Sequence, residues 1–571
     1  MSTRVLRLAT LFFLGSLAAW AQQPQCTTSV IQTSSGPVCG SGWSRTIPEA
    51  GTFNATAYLG IPYATPPIGS LRWKNPVPFP KSTAALQATA FQSMCPQQVA
   101  QASGGNVPPM NQCSDGKVLG PNQNEDCLYL NVWVPSGTTA GAQLPVMVFI
   151  HGGAFVAGSG GSASLDPYDG IYLAATGNVI VVTFNYRLGV FGFLAQGGSY
   201  NFGFADQLLA LQWVQDNIAG FGGNPKNVTL FGESAGAMSV GLHALSSPKS
   251  SGLFQAAIME SNPFGLPYKS TTQADTLSQS FCGTSGSSLC TAKTSTCDLI
   301  EAQSTFKTIP TLPDALVWAP VVDNTFVTNQ PLASAASLNM PMILGTNSDE
   351  GIPFAVLIME NLPNLLPEKY RLFLEALFPS GVLNKILSLP RYQCSMFASD
   401  CSSQMANVIT DYIFTCPNRQ FALQASQGNN PQPLYMYQFT QASSFNIWGP
   451  SSSHPVPACS GKVCHGDEIP YVFNTARGFG QTFLPAEEAL SQKIGGYWTS
   501  FAINDAPGSS WPLFQPARTY LLLNESSTTA NDPLDATANC SALWDGLGDQ
   551  TSQTWSRLIA ALETAKKKAT P

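Results

Sequence analysis

Ser234 sits in Gly232-Glu233-Ser234-Ala235-Gly236, a G-x-S-x-G sequence with Val228, Leu230 and Phe231 before it and AMSVGLHAL after it. An apolar run, a glycine-flanked serine and then small and apolar residues at helical spacing match a nucleophile elbow, where a strand turns sharply into a helix and holds a hydroxyl out. Glycine two residues before and two after the serine suits the close backbone approach at such a turn. The following helix aims its N-terminal N–H groups at the place where negative charge would develop.

A serine hydroxyl is a poor nucleophile at neutral pH and needs a general base, for which histidine is the usual choice. The chain has four histidines. His151 directly precedes two glycines and is placed to shape that loop. His243 falls nine residues after Ser234 on the helix and points away from it. His454 lies in SSSHPVP with little to anchor it, whereas His465 lies in CHGDEIPYVF, held by neighbouring apolar residues and a candidate cystine, and is the preferred base. A carboxylate must then orient the imidazole. Asp349 and Glu350 follow an apolar run directly, and Asp323 in PVVDN is a further candidate. The chain order serine, acid, histidine is that of the hydrolase sheet. HGGAF at 151–155 and the N–H of Ala235 provide backbone donors for an oxyanion.

The elements that must position these groups are legible as apolar runs. LPVMVFIHGG (144–153), NVIVVTFNYR (178–187), the run before Ser234, PMILGTNSDEG (341–351) and PLYMYQFT (433–440) read as strands, several of them buried on both faces of a parallel sheet. EDCLYLNVWVP reads as a strand by alternation, DQLLALQWVQDNIAGF (206–221) as an amphipathic helix, and 481–504 as containing a long helix. Strand and helix alternation predicts an α/β fold with a doubly wound sheet and its ligand site beyond the carboxyl ends of the strands. Residues 22–565 read as one catalytic domain, with 352–425 a mainly helical insertion and 566–571 a solvated basic tail.

With 571 residues, 10% charged and a net charge of −7, the chain has the size for a large core and lacks the basic character that holds a phosphate backbone. Residues 1–21 combine Arg4 and Arg7, an apolar stretch from Leu8 to Leu17 and Ala19-Trp20-Ala21, the pattern of a cleaved secretory signal. That stretch is shorter than the roughly 20 residues of a spanning helix. Fourteen cysteines in an exported chain point to disulfides. Cys26 and Cys39, Cys394 and Cys401, and Cys459 and Cys464 are close enough in sequence to close small loops. A metal site at Cys459, Cys464 and His465 lacks a fourth ligand at zinc-like spacing.

YLGIPYA, EDCLYLNVW, HGGAF, NYRLGVFGFL, ALQWVQDNIAGFGGNPKNVTLFGESAG, GTNSDEG and CHGDEIPYVF occur in this order. Through them the chain resembles the type-B carboxylesterase/lipase family of α/β-hydrolases, which includes cholinesterases. The resemblance implies an α/β-hydrolase fold with Ser234 as nucleophile, Glu350 as acid and His465 as base. It implies oxyanion donors at Gly153, Ala154 and Ala235, with Gly152 serving the turn and Ala154 replacing the more usual glycine. It also implies disulfides Cys95–Cys127, Cys416–Cys540 and Cys282–Cys290, leaving Cys113 and Cys297 unassigned. Residues 96–126 contain no tryptophan of the kind that holds a quaternary ammonium by cation–π contact, and are too polar for an amphipathic lipase lid. Phe155, Leu316 and Trp318 are candidate acyl-pocket residues. The expectation is a secreted serine carboxylesterase acting on small-molecule esters, without cofactor, metal, nucleic acid or membrane span. The alternatives are a lipase or bulky aromatic-ester esterase of the same family, and a non-catalytic adhesion module on the same fold.

Overall fold

The computed structural model describes residues 26–47, 51–97, 122–162, 167–283, 289–306, 316–358, 364–449 and 456–545. Residues 1–21, Cys113, His454 and the basic tail therefore lie outside the described residues.

An eleven-stranded sheet organises the chain. Its strands are β1 (Ser41–Ile47), β2 (Gly51–Pro62), β3 (Tyr129–Pro135), β4 (Leu144–Ile150), β5 (Ile180–Phe184), β6 (Gly223–Glu233), β7 (Ala256–Glu260), β8 (Met342–Asn347), β9 (Leu434–Phe439), β10 (Thr519–Leu523) and β11 (Thr529–Asn531). Their spatial order is β11-β10-β9-β8-β7-β6-β4-β5-β3-β2-β1. The seven strands from β10 to β5 run parallel, and the strands at both margins are antiparallel.

The apolar runs become the central strands because both faces of the sheet are covered. Val146, Val148, Ile150, Val228 and Leu230 enter one core with Met238 and Val240 of the helix α1 (Ala235–Leu245). Met147, Phe149, Phe231 and Ile258 enter the other, against Ile494, Trp498 and Phe501 of the helix α2 (Pro485–Asn504). Period-two alternation thus serves two cores at once, with about 1.5–3 kcal/mol gained per large side chain buried.

Two local expectations change. β3 is buried on both faces rather than alternating, because β2 and β5 flank it and each of its faces meets a core. The helix expected at 206–221 spans Phe202–Asn217 and is enclosed on nearly every side of its first turns. Its buried Asp206 takes Arg187 bidentately, with Nε and Nη2 each at 2.7 Å, so an ion pair replaces water there.

Candidate active site

Four loops at the carboxyl ends of the parallel strands build the site. β6 ends at Glu233, Ser234 takes φ 57 and ψ −122, and α1 begins at Ala235. That left-handed backbone is strained for a residue with a Cβ. Neighbours hold it in place: the Ser234 N–H donates to the Glu260 carbonyl at 3.0 Å, and the Ser234 carbonyl accepts from Met238 N–H at 2.8 Å. The flanking glycines are required by space. A Cβ on Gly232 would lie 2.7 Å from the Ile150 carbonyl oxygen, and one on Gly236 would collide with it.

The loop after β4 lies against this turn. A Cβ on Gly152 would stand 3.1 Å from the Ser234 Cβ and 2.8 Å from the Glu233 carbonyl. Gly153, Ala154 and Phe155 all have positive φ, at 104, 53 and 61, so the chain turns tightly where it passes the Ser234 turn. Among the described residues, no backbone carbonyl accepts from the N–H of Gly153, Ala154 or Ala235. His151, buried and stacked on Tyr186 at 4.4 Å, binds the Gly152 carbonyl through Nδ1 at 2.8 Å. Burial lowers its pKa to about 4, so it braces the loop as a neutral ring.

β8 delivers the candidate acids. The Asn347 N–H donates to Glu350 Oε1 at 2.8 Å, and Glu350 Oε2 lies 2.6 Å from His465 Nδ1. Of the candidate acids, then, the structure brings Glu350 to the imidazole. Asp349 instead accepts from the N–H of Val463, and Asp323 closes its own turn by accepting from the N–H groups of Thr325, Phe326 and Val327.

Contacts on both sides hold His465. Trp448 Nε1 donates to its carbonyl at 2.8 Å, Asp467 takes the Cys464 N–H at 2.6 Å, and Cys459–Cys464 closes the preceding turn. His465 Nδ1 is directed at Glu350, and Nε2 is the nitrogen that Glu350 does not engage. Nε2 is buried and makes no aligned hydrogen bond, and Glu233 Oε1 lies 3.1 Å from it. The Ser234 hydroxyl has no hydrogen-bond partner among the described residues. The histidine thus stands beside the residue that precedes the serine, and no serine–histidine hydrogen bond is present among the described residues.

Burial pulls the His465 pKa down, but Glu233 and Glu350 together outweigh it and hold the imidazole above its ordinary range. Burial also raises Glu233, against the pull of His465, and raises Glu468 to about 7 with help from Glu350. Glu468 accepts from Ser261 Oγ at 3.0 Å and from Asn347 Nδ2 at 2.5 Å.

A family model described as the carboxylesterase family matches residues 27–541. The chain belongs to that family. It is 35% identical over 500 residues to the para-nitrobenzyl esterase of Bacillus subtilis (strain 168), covering 83% of this chain and 92% of that one. It is 38% identical to the crystal protein of Dictyostelium discoideum over 78% of each chain, and 32% identical to the acetylcholinesterase of Bungarus fasciatus over 86% of this chain and 82% of that one. A solved thermophilic PNB esterase superposes with a TM-score of 0.71 at 30% identity, covering 90% of this chain and all of that one. The fold is the α/β-hydrolase fold, and the class is that of carboxylic ester hydrolases.

Six disulfides have both cysteines among the described residues of this carboxylesterase: Cys26–Cys39, Cys95–Cys127, Cys282–Cys290, Cys394–Cys401, Cys416–Cys540 and Cys459–Cys464. Cys297 is disulfide-bonded as well. Of the acyl-pocket candidates, Phe155 is fully buried edge-on to Phe193 at 5.2 Å, Trp318 packs with Phe281 and Phe306, and the Leu316 carbonyl accepts from Lys269 Nζ. His243 is buried between Ser250 Oγ at 2.7 Å and Gln207 Oε1 at 3.2 Å, far along α1 from the serine.

Sequence reasoning missed the aromatic walls of the imidazole. Phe354 and Phe414 each place a ring centroid 5.1 Å from His465. Both come from 352–425, whose 410–415 segment is a π-helix that carries Phe414. Such segments often mark functional sites, but no residue type announces one in advance.

Proposed function

We propose that this carboxylesterase is exported and hydrolyses small-molecule carboxylic esters through Ser234, His465 and Glu350. His465 Nε2 accepts the Ser234 proton as Oγ attacks the ester carbonyl, and Glu350 stabilises the imidazolium that forms. The N–H groups of Gly153, Ala154 and Ala235 receive the oxyanion. His465 then returns the proton to the departing alcohol. Water, deprotonated by the same nitrogen, releases the carboxylic acid and restores the serine. The observation that carries this reading is the 2.6 Å Glu350–His465 bond, with the other imidazole nitrogen beside the Glu233–Ser234 turn. Export is supported by the disulfides and by the sequence pattern of residues 1–21. Among the described residues no helix is long and apolar enough to cross a membrane.

The test is to label the protein with a phosphonate ester and locate the adduct by mass spectrometry, alongside Ser234→Ala assayed on short-chain p-nitrophenyl esters. The adduct is expected on Ser234, with a fall in kcat on the order of 10⁴-fold or more in the variant. A label on another residue, or an active variant, refutes the assignment.

A further inference from the structure

Five carboxyl groups are buried behind the elbow: Glu233, Glu260, Glu350, Asp467 and Glu468. Glu233 and Glu350 reach His465, and Asp467 and Glu468 accept from groups around it, as described above. Glu260 stands apart. It is fully buried, its Oε1 accepts from Trp498 Nε1 at 2.7 Å, and its Oε2 has no partner among the described residues. Among the described residues no lysine or arginine pairs with it. Yet it lies directly behind the nucleophile: in the sheet its Cα is in register with that of Glu233, and its carbonyl accepts the Ser234 N–H.

The groups facing it are Glu233 from β6, Glu468 from the loop that carries His465, Tyr437 from β9 and the Trp498 indole from α2. Glu350, Asp467 and His465 complete the cluster. Of these only the imidazole can carry positive charge, and Glu350 and Glu233 are the carboxylates against it. A carboxylate sealed from water with one neutral donor and several like-charged neighbours is far costlier than the neutral acid.

We propose that Glu260 keeps its proton throughout the working range and acts as a positioning residue, confining negative charge behind the nucleophile to the carboxylates that touch His465. Its effect on rate rests on the Ser234–His465–Glu350 reading; its protonation does not. Burial, reinforced by Glu468, pushes its pKa in the same direction. The neutral carboxyl ties α2 to β7 through Trp498, and so fixes the strand whose carbonyl holds Ser234.

The test uses the full-length protein with Glu260→Gln and Glu260→Leu. Glutamine reproduces a neutral acid, while leucine removes the acceptor for Trp498. Leucine is expected to lower kcat about tenfold or more by loosening the elbow, and glutamine to restore it with the pH profile of kcat/KM unmoved. A glutamine variant whose acid limb falls by about one pH unit would show that Glu260 is charged, and would overturn the proposal. Should the leucine variant fail to fold, the infrared difference between wild type and Glu260→Gln still decides. A protonated-carboxyl band lost in the variant at pH 8 is expected, and loss of a carboxylate band instead refutes it. This readout stands even if Ser234→Ala retains activity, which would defeat the triad alone.

Discussion

Glu233 Oε1 lies 3.1 Å from His465 Nε2, the nitrogen that the proposed mechanism requires to take the serine proton. A carboxylate there stabilises the imidazolium in the transition state, and it also stabilises the protonated resting state, which has no lone pair for catalysis. Both effects come from one short distance.

The pH dependence follows from this pair. A base whose pKa is raised is occupied by its proton until the pH climbs through that value, so activity appears as pH rises. The acid limb of kcat/KM is therefore expected above the ordinary histidine value of 6.5. Glu233→Gln should move the limb to lower pH while reducing the plateau, because the imidazolium loses a stabilising neighbour. Rate profiles of both proteins between pH 5 and 10 check this, and a limb that stays in place in the variant contradicts it.

Space at the elbow makes a second prediction. Gly236→Ala puts a methyl group into the Ile150 carbonyl, so β4 and α1 must separate. Because β4 leads into the Gly152–Ala154 loop, the proposed oxyanion donors shift with it. A fall in kcat of about 10²- to 10³-fold is expected, together with a lower Tm on thermal unfolding.

Ala154 offers the converse case. It stands at φ 53, where a glycine costs no strain, and the proposed mechanism uses only its N–H. Ala154→Gly keeps the donor while freeing the unfolded chain, and these effects on stability oppose each other at about 1 kcal/mol each. kcat should remain within about threefold of wild type, equivalent to less than 1 kcal/mol. A larger loss on simple p-nitrophenyl esters would mean that the methyl group contacts substrate.

The Cys459–Cys464 bridge ends one residue before His465, and both cysteines are buried against Val456 and Trp448. Cys459→Ser with Cys464→Ser should lower kcat about tenfold or more by loosening the base, with KM nearly unchanged. Trp448 and Asn347 still hold the carbonyls of His465 and Cys464, so the fold should persist. Circular dichroism and steady-state kinetics together separate this outcome from global unfolding.

Much of the site was legible in the chain. Gly232 and Gly236 signalled a turn with no space for a Cβ, and a buried strand before Ser234 with small residues after it pointed to the elbow. The runs that became β4, β5, β6, β8 and β9 were apolar enough to place them in the sheet interior, whereas β7 (AAIME) was not read as a strand. The choice between Asp349 and Glu350 could not come from the two residues themselves, since both are carboxylates after the same strand; without the resemblance it depends on which way each leaves β8. Phe354 and Phe414 gave no signal at all, because a phenylalanine against an imidazole and one in a core look alike in a sequence.

Taken alone, the order of residues determined what depends on local chemistry: a hydroxyl on a glycine-flanked turn, a glycine-rich turn at HGGAF, strands that must be buried, and cysteines in close pairs. Tertiary structure decided what depends on convergence. It brought Glu233, Glu260, Glu350 and Glu468 into one buried cluster around His465, from positions as far apart as 233 and 468 in the chain. The physical reason is that burial and mutual repulsion set the charge of each group, and both are properties of a neighbourhood that exists only once the chain has folded.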